Sequence, residues 1–195
     1  MGSRGSRRLG EYVCSRKMSP EQDTPEQPSG QEGRPGAAGI SLVPEPTVGE
    51  DVQAQLEEFD VDGAVIGIVM GSASDMEKMQ KAAAELEERG IPHEVRVMSA
   101  HREPDLVAEY SKAARSRGLR VIIAGAGISA ALPGAVAAHT DLPVIGVPLS
   151  GRLSAAGGLD AILSIVQMPP GVPVACVGLD NARNAAILAA KILGA

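Results

Sequence analysis

The sequence predicts an α/β fold over residues 61–195: a doubly wound parallel sheet with helices on both faces, three layers in all. Three observations carry this reading. Five short apolar runs alternate with helical stretches along that segment. The first run, AVIGIVM at 64–70, is apolar without alternation, as in a strand buried on both faces. Strand–helix–strand repeats of this length join parallel neighbours through right-handed crossovers.

The elements follow in order. Residues 64–70 form the first strand. A helix is expected over 74–89, where Met76, Met79, Ala83 and Leu86 fall near helical spacing. Ser74 with Glu77 matches a capping box. Glu77 with Lys81 and Glu85 with Arg89 are favourable i,i+4 pairs, and Gly90 stands where a helix stops. The second strand is 93–98. The second helix starts at Pro104, a residue suited to a first turn, and ends before Gly118. RVIIA at 120–124 is the third strand, and 131–139 a short helix with Pro133 near its first turn. Residues 143–147 give the fourth strand, 158–166 a helix, 173–177 the fifth strand, and 181–193 a last helix closed by Gly194. The pattern is flavodoxin-like. Its Ala- and Gly-rich apolar faces let helices lie close to the sheet or serve as subunit contacts.

Composition narrows the function. Of 195 residues, 44% are hydrophobic and 22% charged, enough for a packed core. Aromatic residues make up 2%, with no Trp, which argues against a nucleic-acid reader built on base stacking. The net charge of −6 offers no basic footprint for a phosphate backbone. No apolar run approaches the roughly 20 residues of a membrane span. Cys14 and Cys176 provide neither a disulfide framework nor a metal pair, which points to a reduced, cytoplasmic protein.

Residues 1–60 differ from the rest. They carry 6 Lys and Arg against 11 Asp and Glu, with 8 Gly and 6 Pro. Such a stretch buries too little apolar surface to offset the entropy of ordering, so a disordered tail is expected, with one short helix over 50–60. The Arg- and Ser-containing start lacks the apolar core of a secretory signal. It fits a weak transit peptide or a start site nearer Met18.

In an open parallel sheet, ligands bind beyond the carboxyl ends of the strands. Three loops there carry the chemistry. After the first strand comes Gly71-Ser72-Ala73-Ser74-Asp75, a hydroxyl-rich turn before a helix N-terminus, suited to an anion. Asp75 suits ribose hydroxyls; the competing reading is that Ser74 or Asp75 only caps the helix. After the second strand comes Ser99-Ala100-His101-Arg102-Glu103. His101 exchanges a proton near neutral pH, and the Arg102 fork fits phosphate. After the third strand comes Gly125-Ala126-Gly127-Ile128-Ser129. Its resemblance to a dinucleotide fingerprint is superficial, because no acidic residue ends the next strand. Small residues there let a ligand ring approach the backbone.

Other signals carry no chemistry. The chain lacks a GxxxxGK[ST] loop and a GxSxG elbow, and no His, Cys or carboxylate spacing suits a metal. His93 is expected to be exposed and His139 to cap a helix. Cys176 is expected as a small core residue of a central strand.

Taken together, VMGSASD (69–75), SAHREP (99–104), AGAGISAALPG (124–134), PVIGVP (143–148) and LSIVQMPPGVPVACV (163–177) resemble the N5-carboxyaminoimidazole ribonucleotide mutase family of purine biosynthesis. The likeness covers nearly all of 64–193. It implies a cofactor-free isomerase that converts N5-carboxyaminoimidazole ribonucleotide (N5-CAIR) to 4-carboxyaminoimidazole ribonucleotide (CAIR), with His101 moving the proton. By motif position, phosphate and ribose contacts fall on Ser72, Ser74, Asp75, Ser99 and Arg102, with Ala100 a further substrate-binding residue. The base and carboxylate pocket falls on Ala126, Gly127 and Leu132. The resemblance also implies a homo-octamer and functional coupling to a carbamate-forming synthetase.

Two positions depart from the family pattern: Ala131 stands where the family has His, and LSGRLSAAGGLD after Pro148 differs from the commonest version. Arg102 stands where the direct-carboxylating branch has Lys, which favours the mutase branch. The alternatives are an aminoimidazole ribonucleotide (AIR) carboxylase using free carbon dioxide, a relative that carboxylates another nucleotide ring, and a non-catalytic nucleotide-binding scaffold.

Overall fold

The structure, a computed structural model, describes residues 63–195; the tail expected over 1–60 lies outside the described residues. Five parallel strands make one sheet: β1 (Ile66–Met70), β2 (His93–Val97), β3 (Val121–Gly127), β4 (Val144–Leu149) and β5 (Ala175–Cys176). Their order is β2-β1-β3-β4-β5. The helices are α1 (Met76–Glu88), α2 (Pro104–Ala113), α3 (Leu132–Ala138), α4 (Leu159–Val166) and α5 (Ala182–Leu193). This is the flavodoxin-like order, with its switch point between β1 and β3.

Side chains of successive strand residues leave on opposite faces. On one face Ile66, Ile68, Met70, Ile123, Ile145 and Val147 pack with Met79 and Leu86 of α1 and with the alanine stripe of α5. On the other, Val69, Ile122, Ala124 and Val144 pack with Val107 and Tyr110 of α2, Val136 of α3 and Ile165 of α4. Small residues let the helices approach as expected. A Cβ on Gly125 would collide with the Met79 thioether, and one on Gly146 with the Ile165 side chain.

A buried ionic cluster lies beneath the β2 edge. Gly67 pairs in register with Glu94, and a Cβ on Gly67 would collide with the Tyr110 hydroxyl. That hydroxyl instead donates to Glu94 at 2.7 Å. Arg117 and Arg96 donate to the same carboxylate at 2.6 and 3.2 Å, and Arg117 lies 5.5 Å from the centre of the Tyr110 ring. Burial first, and then the Glu94 charge, hold the Tyr110 hydroxyl well above its usual pKa, which keeps it a donor.

Several boundaries differ from the sequence reading. β3 runs on through Gly127, because Gly127 pairs with Leu149 and a Cβ there would press on the Leu149 carbonyl. β5 is only two residues long and forms the sheet edge, so Cys176 is half-buried on an edge strand rather than in the centre. His93 is half-buried at the start of β2, with Nδ1 3.0 Å from the Ile91 carbonyl oxygen. His139 caps the end of α3 as expected.

Candidate active site

The carboxyl ends of β1 to β4 surround one cavity of about 840 Å³. Every residue singled out from the sequence lines it: Ser72, Ser74, Asp75, Ser99, Ala100, His101, Arg102, Ala126, Gly127 and Leu132.

The β1 wall starts at Gly71 and tightens into a 3₁₀ turn, Ala73–Asp75, before α1. The predicted capping box is not made. Ser72, not Ser74, accepts from the Ser74 backbone N–H at 3.2 Å, and Asp75 makes no capping bond. The Ser74 hydroxyl donates to the Ser72 oxygen at 2.8 Å, so two hydroxyls meet at the cavity edge. Burial raises the Asp75 pKa, opposed by the charge of Lys78.

The β2 wall is a tight turn. The backbone N–H groups of Arg102 and Glu103 donate to the Ser99 carbonyl at 3.2 and 2.8 Å, and the Glu103 carboxylate accepts from the Ser99 N–H. The Arg102 guanidinium donates to the Gly71 carbonyl at 2.7 Å, binding this loop to the β1 loop. His101 is exposed at the mouth, and among the described residues nothing hydrogen-bonds its ring.

The β3 wall is compact and strained. Ile128 adopts φ 56°, a left-handed conformation unusual for a β-branched side chain. Two successive short bonds, Ala130 N–H to Ile128 O at 3.0 Å and Ala131 N–H to Ser129 O at 2.7 Å, turn the chain into α3. Such strain costs on the order of 1–3 kcal/mol and clusters at ligand sites. Ala126 and Leu132 are buried against the core below.

The β4 wall, Leu149–Ser154, was missed by the sequence reading as a source of site residues. Lys78 donates to the Ser150 carbonyl and hydroxyl at 2.8 and 2.7 Å and to Asp180 at 2.7 Å. Asp180 also accepts from the Ser150 N–H at 2.9 Å. The one available signal was position: this loop follows a strand at the same edge as the other three.

Among the described residues, no cluster of three His, Cys, Asp or Glu is placed to hold a metal ion. No helix among them is long and apolar enough to cross a membrane. Chemically, the cavity offers a hydroxyl-rich turn with a cation beside it, one free imidazole, and a floor of small residues.

Known proteins share this sequence and fold. Residues 65–195 match the AIR carboxylase family. The chain is 57% identical over 130 residues to an N5-carboxyaminoimidazole ribonucleotide mutase of Pyrococcus horikoshii, covering 67% of this chain and 72% of the relative. It is 57% identical over 133 residues to a phosphoribosylaminoimidazole carboxylase of Schizosaccharomyces pombe, covering 68% of this chain but 24% of that much longer protein. The crystal structure of Treponema denticola PurE superposes with a TM-score of 0.59 at 35% identity, over 67% of this chain and 80% of the other. The chain belongs to the AIR carboxylase family.

Proposed function

We propose that this protein is an N5-CAIR mutase, which moves a carboxyl group from the exocyclic nitrogen of the aminoimidazole ring to ring carbon 4. The observation that carries the reading is the convergence of His101, Arg102 and the Ser72–Asp75 turn on one cavity with a small-residue floor. High identity to relatives that bear the mutase name supports it.

The residues divide the work by chemistry. The Ser72 and Ser74 hydroxyls and the Arg102 fork bind phosphate; Asp75 accepts from ribose hydroxyls. Ser99 and Ala100 shape the wall beside them. Ala126, Gly127 and Leu132 let the imidazole ring lie against backbone. Protonated His101 gives its proton to the carbamate nitrogen as the C–N bond breaks, releasing carbon dioxide. Carbon 4 then attacks the trapped carbon dioxide, and neutral His101 takes the carbon 4 proton as the ring regains aromaticity. The histidine ends as it began, and no outside reactant is consumed. The small-residue floor of Ala126, Gly127 and Leu132 leaves room for carbon dioxide beside carbon 4.

A direct assay tests this: purified protein with freshly made carbamate nucleotide, with optical detection of the carboxylated product. The wild type is expected to turn over, and His101→Asn to lose activity by about 100-fold or more while binding the nucleotide within a few-fold. A wild-type rate in the variant removes His101 as proton carrier. Identity to the fungal carboxylase favours a second reading, carboxylation by free carbon dioxide. Supplying AIR and bicarbonate instead of the carbamate separates the two.

The same reading places the protein in the cytoplasm, beside a synthetase that makes the unstable carbamate, and in a homo-octamer. Leu159, Leu163 and Val166, exposed along one side of α4, supply an apolar stripe for subunit contact.

A further inference from the structure

We infer that Arg152 is a second anion-binding residue of the cavity, one that recognises the carboxyl group the reaction moves. The inference rests on the mutase reading for the identity of the ligand. Its structural basis is separate.

Arg152 and Arg102 reach the cavity from opposite ends. Arg102 follows β2 and Arg152 follows β4, and β1 and β3 lie between these strands. Three strand spacings of about 4.8 Å separate the two loops by roughly 14 Å. A nucleoside monophosphate with a carboxylated ring carries its two anionic groups at opposite ends, closer together than the two loops, so each arginine side chain reaches inward to one of them.

Neither guanidinium has a carboxylate partner among the described residues. Arg102 donates to a backbone carbonyl. By contrast, Arg89, Arg115 and Arg183 at the surface are all ion-paired. The one carboxylate lining the cavity, Asp75, belongs to the β1 wall and has Lys78 as its neighbouring charge. Asp180, the carboxylate at the β4 end, is engaged by Lys78 and Ser150, so Arg152 stands without an ion-pair partner among the described residues, over a floor, Ala126 and Gly127, that brings no charge of its own.

The loop presents Arg152 in a fixed way. The Ser154 N–H donates to the Gly151 carbonyl at 3.0 Å, closing a four-residue turn, and the Gly151 N–H donates to Ser154 Oγ at 2.8 Å. Arg152 is the first of the two central residues of that turn. Immediately before it, Ser150 is held by Lys78 and Asp180. A planar fork at the tip of an anchored turn suits a carboxylate, which it meets with two parallel bonds. The hydroxyl pair Ser72–Ser74 assigns phosphate to the opposite end.

Calorimetric binding of two nucleotides reads this out: the 4-carboxylated ribonucleotide and the same ribonucleotide without the carboxyl group. Arg152→Ala is expected to weaken the carboxylated ligand about 10- to 50-fold and the other by less than about twofold. Arg152→Lys should recover part of the loss. Arg102→Ala should weaken both ligands alike. Equal weakening of both ligands by Arg152→Ala, or of neither, overturns the inference. So does a wild type that binds the two equally. Wild-type turnover of the carbamate, measured in parallel, judges the mutase reading by itself: an inactive enzyme whose Arg152→Ala variant still loses only the carboxylated ligand retains this inference without that reaction.

Discussion

At the β1–β2 end of the cavity, the chain holds itself. Ser99–Glu103 closes on its own backbone, and Arg102 reaches across to Gly71. Beneath it, Glu94 gathers Tyr110, Arg117 and Arg96 into a buried cluster. At the β3–β4 end, the wall depends on distant parts of the sequence. Ser150 is fixed by Lys78, 72 residues earlier, and by Asp180, 30 residues later. The first end combines a local turn, tied to Gly71 31 residues earlier, with an ionic base around buried Glu94. The second combines the local Gly151–Ser154 turn with long-range polar contacts at a partly exposed surface. What separates the two ends is the burial of the anchoring carboxylate: Glu94 is fully buried, whereas the Lys78–Asp180 pair is about one-third exposed.

If the ionic base supports the β1–β2 end, removing its acceptor has the largest structural effect. Glu94→Ala removes the buried acceptor that Tyr110, Arg117 and Arg96 share and is expected to cost about 3–5 kcal/mol. The measurement is the urea midpoint, with the slope checked for two-state behaviour. A loss below about 1 kcal/mol, the scale of a surface pair, would place the cluster with ordinary surface charges and dissolve the contrast between the two ends.

A smaller effect is expected from Arg102→Ala, and it should appear in binding rather than folding. Its charged bonds to phosphate are worth about 1.5–3 kcal/mol. Titration with ribose 5-phosphate isolates this term, because that ligand carries neither the ring nor the carboxyl group. Unchanged affinity would move the phosphate site away from the β1–β2 end.

A contrast between local and tertiary signals explains what was legible in the sequence. β1 declared itself through an unbroken apolar run, and the Ser72–Asp75 and Ser99–Arg102 loops through dense polar residues beside it. All these signals lie within a few residues of their consequence. β3 was read three residues short because Gly125 and Gly127 look like turn residues. They remain in the strand because Met79 lies against the first and the Leu149 carbonyl against the second, and neither contact is local. The capping box failed for a similar reason: Ser72 makes the cap two residues earlier, within a 3₁₀ turn that spacing alone does not show. The Leu149–Ser154 wall is not legible locally because the anchor of its first half is tertiary. Ser150 looks like any loop serine until Lys78 and Asp180 are brought beside it.

The smallest predicted effect tests that long-range clamp by pH. Burial pushes the Asp180 carboxyl up, but hydrogen bonds from Lys78 and Ser150 outweigh it and hold the pKa below the usual aspartate range. A lowered native pKa means the carboxylate adds stability above its unfolded value, about 3.9. That stability is lost as pH falls through the lower native value. The pair is about one-third exposed, so its worth is that of a screened surface interaction, roughly 0.2–1 kcal/mol. Asp180→Asn is a clean replacement, since Asp180 adopts φ 55° and Asn tolerates that conformation well. Urea unfolding of both proteins at about pH 7 and about pH 3 gives the difference directly. It should be present at the higher pH and shrink at the lower. A difference independent of pH would mean that the loop is held by shape and by the Lys78 bonds to Ser150, with the Asp180 charge contributing nothing.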